Sequence, residues 1–504
     1  MKALLIGNKN EKRTKRGSSI LEVLIATAVL TLSISAVIML SFANQSLKVD
    51  TDTSGEALLK AQKVLEDARA ASRQDLSSVA GYTDTSDPYY TNELLVLDEE
   101  QCKKVVVGRT SWTIPPARPE KIELTTALGD IKTAVALGGD CISEPPDSDW
   151  DNPTSFASDN FNPGKPTSID VLNKIAYIGG DKTPFLFIAD ATHATAGQSS
   201  GLFITFANGF DAGSKINSID VAAWHDPATG LTRYYAYAAM DTTTNQLEVI
   251  DVTDIHNPVL VATRALAACV GNSYPQGYRL YYYKNRLYFV TRETAGPEFH
   301  IFDVTTPVNP TELGSGACRG TELTTTINNM IVRDQLVGGS LRRFAYVADT
   351  RDSGELAVYD VTDPANIGAI SEVVAARQNL PGAQDGKSIY LIGNKIYFGR
   401  QSTPGGPDLY VYDATDPSTG LPLLGSQDIN TGVIGLRVAG RFAFIGTPKT
   451  NSEFQVWNIS NLVNITNIAT FNFPNIIENG MDYENDFVYA TAVGNDALRI
   501  IYSP

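Results

Sequence analysis

The sequence predicts a multidomain chain in which a long N-terminal helix and a small β-sheet precede a large all-β domain. Residues 23–43 form 21 consecutive residues without a charge, which is long enough to span a bilayer as a helix. From residue 168 onward, a pair of strand-like segments recurs seven times, and the residues that end successive pairs lie 44 to 61 residues apart. Repeats at this spacing indicate four-stranded blades, so the expected all-β domain is a seven-bladed β-propeller.

Composition is that of folded protein and excludes one class of partner. The chain has 504 residues, of which 43% are hydrophobic and 19% charged. Its net charge of −16 argues against nucleic acid as a partner, because phosphate binding requires a basic surface. Residues 1–17 reverse this balance with six basic residues and one acidic residue. A basic end before an apolar run stays on the cytoplasmic side, so the rest of the chain is expected to cross the membrane.

The junction between the basic end and the apolar run has a recognisable pattern. Lys15-Arg16-Gly17-Ser18 is followed by Glu22, the only charged residue between Arg16 and Lys48. This resembles the type IV prepilin signal. The resemblance implies that a prepilin peptidase cuts between Gly17 and Ser18, and that Glu22 pairs with the new amine of a neighbouring pilin-like subunit during assembly. A secretory signal peptide ending at Ala43 and an ordinary membrane anchor are the alternatives.

The segment after the apolar run has helical periodicity and then strand-like composition. Apolar residues recur at three- and four-residue intervals from Ala57 to Ala68, and candidate strands follow at 104–114 and 121–136. These segments resemble the helix and sheet of minor pilins and pseudopilins. The expected domains are a leader at 1–17, a pilin-like part at 18–143 with its membrane span at about 20–43, a linker at 144–167 and the propeller at 168–504. The expected location is single-pass membrane before assembly, with the bulk of the chain outside the cell.

The repeats have a common internal pattern. The first strand of each pair has an aromatic residue at its fourth place, in Tyr177, Tyr237, Phe289, Tyr346, Phe398, Phe444 and Tyr489. The second strand ends in Asp or Asn in six copies, and a following Thr or Pro predicts a turn set by the side chain. The pattern resembles the LVIVD-repeat propellers. The last copy ends the chain, so a strand from 159–165 or upstream is expected to complete its blade.

Cysteine and metal patterns are limited. Four cysteines in an exported chain predict two disulfides, and their places favour Cys102 with Cys141 and Cys269 with Cys318 over the two other pairings. Asp50–Gly55 and Asp147–Asp151 each match only the beginning of a calcium loop, so calcium stays open and no other cofactor is expected. Gly197–Gly201 matches G-x-S-x-G, but a strand follows it, which predicts a turn.

The candidate ligand surface is the propeller face built by the loops between the second and third strands of the blades. Its basic candidates are Lys182, Arg292, Arg351, Arg400 and Lys449. Acidic residues are interleaved with them, so a solvated rim and a polar-ligand site are both open. The expected function is a pilin-like surface, filament or pseudopilus subunit that displays a propeller for adhesion or for recognition of a protein or glycan. A secretion pseudopilin engaging cargo and a membrane-anchored propeller enzyme are the alternatives, although no catalytic constellation is found.

Overall fold

The computed structural model describes most of the chain from residue 53 onward. The described residues are 30–31, 34–35, 39, 53–72, 76, 79–100, 103–114, 118–129 and 149–504, the last range with gaps at 161–163, 227–228, 230, 267–275, 315–318, 339, 365, 367–369, 403, 473–475 and 494–496. The chain divides into two compact units, residues 1–130 and 131–504.

The first unit is a helix packed on an antiparallel sheet. Helix α1 covers residues 53–72, and the strands, in sheet order, are β1 (Tyr82–Asp84), β2 (Tyr90–Glu100), β3 (Lys103–Ile114) and β4 (Arg118–Gly129). Val64 and Leu65 of α1 are buried against Leu94 and Val106 of the sheet. A side chain at Gly108 would lie 2.7 Å from the Ala61 carbonyl oxygen, so the glycine permits the close approach of helix and sheet.

The predicted long N-terminal transmembrane helix is wrong. The described residues are nearly all β, and α1 carries charged residues on its outer face, which an amphipathic helix on a sheet requires and a membrane span excludes. Among the described residues, no helix is both long and apolar enough to cross a membrane. The expected single-pass membrane location is corrected by the same finding.

Several predicted features fall on residues that lie outside the described part of the chain. Gly17, Ser18 and Glu22, and nearly all of the apolar run 23–43, lie outside the described residues, so leader cleavage stays a prediction. All four cysteines, Cys102, Cys141, Cys269 and Cys318, also lie outside them, and the disulfide pairing stays a prediction too.

The second unit contains seven antiparallel sheets, which we number as blades in chain order. Blade 1 has β6 (Pro166–Leu172), β7 (Ile175–Gly180) and β8 (Leu186–Asp190); blade 2 has β9 (Ile216–His225), β10 (Thr232–Met240), β11 (Leu247–Asp251) and β12 (Val259–Arg264); blade 3 has β13 (Gly277–Tyr283), β14 (Arg286–Thr291), β15 (Phe299–Asp303) and β16 (Thr311–Glu312). Blade 4 has β17 (Ile327–Val337), β18 (Ser340–Asp349), β19 (Leu356–Asp360) and β20 (Ser371–Glu372), followed by a 3₁₀ turn at Val374–Ala376; blade 5 has β21 (Gly386–Ile392), β22 (Lys395–Arg400), β23 (Leu409–Asp413) and β24 (Leu423–Gln427). Blade 6 has β25 (Gly435–Ala439), β26 (Phe442–Gly446), β27 (Phe454–Asn458) and β28 (Thr466–Phe471); blade 7 has β29 (Ile476–Glu484), β30 (Phe487–Ala492), β31 (Leu498–Tyr502) and β5 (Thr154–Asp159).

The ring of blades is closed by strands from both ends of this unit. β31 pairs antiparallel with β5, so that Leu498 lies opposite Asp159 and Ile500 opposite Ala157. The first strand of each blade contacts that of the next blade, and β29 of blade 7 contacts β6 of blade 1. The expected closure of the last blade by an upstream segment is therefore confirmed, and the strand is 154–159.

Apolar clusters fill the spaces between neighbouring blades. Between blades 6 and 7, Phe444 packs with Met481 and Ile501, and Trp150, which precedes β5, is fully buried among them. The Trp150 indole Nε1 also donates a hydrogen bond to Asp486 Oδ1 at 3.0 Å. Each cluster needs two blades, so the blades stabilise one another in sequence around the ring.

Two recurrent polar side chains organise the blades. The predicted turn role of the strand-ending Asp is confirmed, since Asp251, Asp303, Asp360 and Asp413 each accept the backbone N–H two residues later at 2.8–3.0 Å. The second feature was not predicted. The residue before the third strand of blades 2–6 is a buried acid or amide, namely Gln246, Glu298, Glu355, Asp408 and Glu453. The first four accept a backbone N–H from the segment that leads to the next blade.

Candidate functional site

One position on the first strand of each blade is identified by its partner in the second strand. In blades 3 and 5 the partner is one residue before the predicted aromatic, since Phe289 and Phe398 lie opposite Leu280 and Ile389. The partners in blades 1 to 7 are Tyr177, Tyr237, Tyr288, Tyr346, Tyr397, Phe444 and Tyr489, and opposite them lie Asp170, Asp220, Tyr281, Ile331, Tyr390, Arg437 and Asp482. Because the first strands surround the axis of the closed ring, these seven residues form one layer around it, which we call the axial ring. Six of the seven are only partly buried, although they lie in the interior of the unit.

Three aspartates of the axial ring connect neighbouring blades. Asp482 accepts the backbone N–H of Val171 at 2.8 Å, Asp170 that of Val221 at 2.6 Å and Asp220 that of Tyr282 at 2.6 Å. Each bond joins one blade to the first strand of the next, so the carboxylates of blades 7, 1 and 2 are held in a fixed order. A charge held by backbone amides is pre-organised for a ligand.

Two of these carboxyl groups have raised pKa values. Burial and the nearby carboxylates of Asp220 and Asp482 raise the pKa of Asp170 well above its usual range. Burial raises the pKa of Asp220 to about 7.

The ring also contains its own cation. Arg437 of blade 6 donates from Nε to Asp482 Oδ1 at 2.9 Å. Burial by itself disfavours the guanidinium charge, but Asp482 raises the pKa of Arg437 above its usual value, so the group stays charged. The acidic part of the axial ring therefore already binds one guanidinium group.

The opposite part of the ring is aromatic. Tyr281 and Tyr390 occupy the positions of blades 3 and 5, and Arg333 of blade 4 donates from Nη1 to the Tyr281 hydroxyl at 2.5 Å. The Arg343 guanidinium carbon lies 5.0 Å from the Tyr283 ring centroid, and Arg343 is also paired with Asp334. The axial ring thus has aspartates in blades 7, 1 and 2, tyrosines in blades 3 and 5, an isoleucine in blade 4 and an arginine in blade 6.

The raised pKa of Asp220 predicts a dependence of stability on pH. In the unfolded chain the pKa is close to 3.8, so between about pH 4 and 7 the folded state holds more protons than the unfolded state. The free energy of unfolding should therefore fall as the pH rises through this window. In Asp220→Asn the amide oxygen still accepts from Tyr282, so we expect a higher melting temperature than wild type at pH 8 and little difference at pH 5.

Thermal unfolding of the full chain at several pH values measures this effect. Asp352→Asn, which changes an exposed carboxylate, is the matched control and should follow the wild type at every pH. A constant difference between Asp220→Asn and wild type from pH 5 to 8 would contradict the raised pKa of Asp220.

The five basic residues of the predicted ligand face have different environments. Lys182, Arg292 and Lys449 are exposed, and Arg292 lies over the Tyr278 ring at 4.4 Å. Arg351 is half-buried in ion pairs with Asp349 at 2.7 Å and Glu372 at 3.1 Å. Arg400 is fully buried and lies on no surface. Three of the five predicted cations are thus exposed, whereas Arg351 and Arg400 lie in half-buried and buried ion pairs, and the role of the face stays a prediction.

The two calcium-loop beginnings lie partly within the described residues. Residues 50–52 and 147–148 lie outside them, while Asp149 is exposed and pairs with Arg441. In the described part of the chain, no group of three or more His, Cys, Asp or Glu side chains could hold a metal ion. The three axial aspartates accept from backbone amides, and Asp482 is also paired with Arg437.

Sequence reasoning missed the axial ring. Its residues are separated by whole blades and belong to four residue types, so no local motif contains them. The available signal was the Ser-Ile-Asp-Val that occurs at both 168–171 and 218–221, and the Asp482 in the equivalent place of the last copy. Alignment on the aromatic residue of the second strand brings these three aspartates into register.

The sheets and the closed ring define the chain as a β-propeller protein. A comparison with models of known protein families finds no match, and a comparison with curated proteins finds none. Among solved structures, the chain is similar to BamB from Moraxella catarrhalis, with 11% identity over 70% of this chain and 98% of that one and a TM-score of 0.38. It is also similar to the periplasmic gluconolactonase PpgL of Pseudomonas aeruginosa, with 10% identity over 68% and 89% and a TM-score of 0.40. The computationally designed Ika8 protein shows 12% identity over 69% and 99%, with a TM-score of 0.40. Similarities this distant give no information about the activity of this chain. Its assignment as a β-propeller rests on its own sheets and on the closed ring.

Proposed function

We propose that the propeller is a recognition module that takes a cationic side chain of a protein ligand, a lysine or arginine, into the acidic part of its axial ring. The observation that supports it best is the group formed by Asp170, Asp220 and Asp482. These carboxyl groups are held together by backbone amides at the cost of a retained proton. A bound cation stabilises carboxylates that otherwise repel one another.

The environment of the group favours an organic cation. Arg437 shows how the ring accommodates a guanidinium beside Asp482. Tyr281 and Tyr390 offer aromatic faces to the methylene stem or the charge of a second such group. The net charge of −16 also favours association with a basic partner. The proposed role is therefore binding and not catalysis, and it implies adhesion to a protein surface.

A peptide and glycan array probed with the full chain tests the proposal. We expect binding to peptides that carry exposed lysine or arginine, with affinity that rises from pH 6 to pH 8 because the bound cation displaces the proton that Asp220 retains below its raised pKa. Asp220→Asn and Asp482→Asn should each weaken binding by about tenfold or more, since a hydrogen bond to a charged group is worth about 1.5–3 kcal/mol.

The control separates the axial ring from the overall charge. Asp352→Asn removes the same charge from the exposed surface and should leave the affinity within about twofold, because exposed ion pairs contribute about 0–1 kcal/mol. Equal losses in Asp352→Asn and Asp220→Asn would refute the site. Binding to neutral glycans in place of basic peptides would favour the glycan alternative over this proposal.

A further inference from the structure

Blade 1 differs from the other blades at its outer side. Its sheet contains three strands among the described residues, whereas the other six contain four. The fourth position is occupied by an irregular segment, in which Asp190 N–H donates to the Leu202 oxygen and Ile204 N–H donates to the Ile188 oxygen, both at 2.9 Å. Between Asp190 and Ile204 the chain makes a wide excursion instead of a tight turn.

This excursion borders an open cavity of about 390 Å³. Its apolar lining includes Leu202, Phe203 and Ile204, and its polar lining includes His193, Gln198 and His256. His193 follows blade 1 and His256 belongs to blade 2, and both are exposed. A cavity of this size can admit a small molecule.

The walls of the cavity are held by both neighbouring blades. Asp159 of β5 accepts the N–H groups of Leu202 at 2.7 Å and Phe203 at 3.0 Å. On the other side, Ala207 N–H donates to the His256 oxygen at 2.9 Å. The cavity is thus pre-formed, and a ligand would not have to order its walls.

The G-x-S-x-G stretch contributes to the same wall and is not a nucleophile elbow. Gly197 and Gly201 have φ of 83° and 82°, which only glycine adopts readily, and they shape a loop that pairs with β5. Gly197 N–H donates to the Phe156 oxygen at 2.8 Å, and Ser158 N–H to the Gln198 oxygen at 2.9 Å. The stretch therefore positions Gln198 at the cavity.

A chain of hydrogen bonds determines the tautomer of His193. The Thr192 hydroxyl lies 2.5 Å from Asp190 Oδ1 and 2.9 Å from His193 Nδ1. The carboxylate has no proton, so the single hydroxyl proton is donated to Asp190. The hydroxyl oxygen must then accept from His193, whose proton is on Nδ1. A neutral His193 consequently presents Nε2 as a hydrogen-bond acceptor.

We infer that this cavity binds a small aromatic ligand that carries a hydrogen-bond donor, a phenol- or indole-like ring. The ring packs on the partly exposed Phe203 and Ile204, and its O–H or N–H donates to Nε2 of His193. The site is separate from the axial ring and does not depend on its role.

The tautomer provides a test in the absence of ligand. In the full chain, long-range ¹⁵N NMR of the histidines should show the proton of His193 on Nδ1 at neutral pH. Thr192→Val should remove this preference and Thr192→Ser should keep it. A proton on Nε2 in the wild-type chain would overturn the inference.

Binding is measured by NMR titration with p-cresol and with p-methylanisole, which has the same ring without the donor. We expect p-cresol to bind about two- to tenfold more tightly, the equivalent of one neutral hydrogen bond. His193→Ala and Thr192→Val should each reduce the affinity for p-cresol to that for p-methylanisole. Thr253→Val, which changes the equivalent turn of blade 2, should leave both affinities unchanged. Absence of p-cresol binding, or equal affinities of the two probes for the wild-type chain, would refute the site.

Discussion

Deleting residues 498–504 is expected to unfold the whole propeller in one cooperative transition. This removes β31, the strand that joins β30 to β5, and with it the side chains of Leu498, Ile500 and Ile501, all at most 1% exposed. Burial of each such side chain is worth about 1.5–3 kcal/mol. The apolar cluster common to blades 7 and 1 loses Leu498 and Ile500, so the loss should approach the total stability of a domain, about 5–15 kcal/mol.

Limited proteolysis and thermal unfolding of the truncated full chain measure this effect. Deletion of the exposed Pro504 alone is the control for truncation and should have little effect. A matched pair of point variants avoids truncation altogether: Ile501→Asp at a fully buried site should reproduce the loss, and Val463→Asp at a 90% exposed site should not. A protease-resistant fragment that contains all blades before residue 440 would show that closure is not required.

Replacing Arg400 by Met is expected to destabilise the chain by about 3–5 kcal/mol, because it leaves a buried carboxylate without its cation. The Arg400 side chain is fully buried, and it donates to the Pro381 oxygen at 3.0 Å and to Glu355 Oε1 at 3.4 Å. Burial already raises the pKa of Glu355 above its usual value. Without Arg400 the group should take up a proton, so the loss should be greater at pH 8 than at pH 5.

Chemical denaturation of three variants at both pH values tests this ion pair. Arg400→Met with Glu355→Gln should recover part of the loss, because the glutamine oxygen can still accept from Leu380 N–H while the unpaired charge is gone. Lys449→Met changes an exposed cation of the same predicted face and should stay within about 0.5 kcal/mol of wild type. If Arg400→Met behaves like Lys449→Met, the buried pair is not a stabilising contact.

The sequence was most informative where a local pattern repeats. The aromatic residue at the fourth place of the first repeated segment and the Asp at the end of the second predicted the seven blades, and both lie in the expected strands. Short-range chemistry explains this success, because strand alternation and side-chain turns involve residues within about four positions of one another. The strand 154–159 was harder to locate, since a single six-residue segment carries little pattern of its own.

Two predictions were wrong: a transmembrane helix predicted from hydropathy, and a surface position predicted for a residue assigned to a loop. The apolar run 23–43 suggested a transmembrane helix, but the helix that the structure describes, α1, is amphipathic and packs on a sheet. Arg400 was expected on the ligand face because it was assigned to the loop between the second and third strands, but it is the last residue of β22 and is paired with the buried Glu355. Burial depends on the neighbouring blade, which local sequence does not contain.

The sequence by itself determined the repeat and the side chains available around the axis. The structure decided the register of blades 3 and 5, where Tyr288 and Tyr397 take the place predicted for Phe289 and Phe398, and it decided which side chains meet. Asp170 and Asp220 are 50 residues apart in the chain, yet Asp220 contributes to the raised pKa of Asp170 because ring closure places the first strands of successive blades side by side. Asp482 joins them only because β5 completes blade 7 and brings β29 against β6. The physical reason is that the pairing of consecutive strands depends on residues close together in the chain, whereas the electrostatic field at the axis is the sum of contributions from all seven blades.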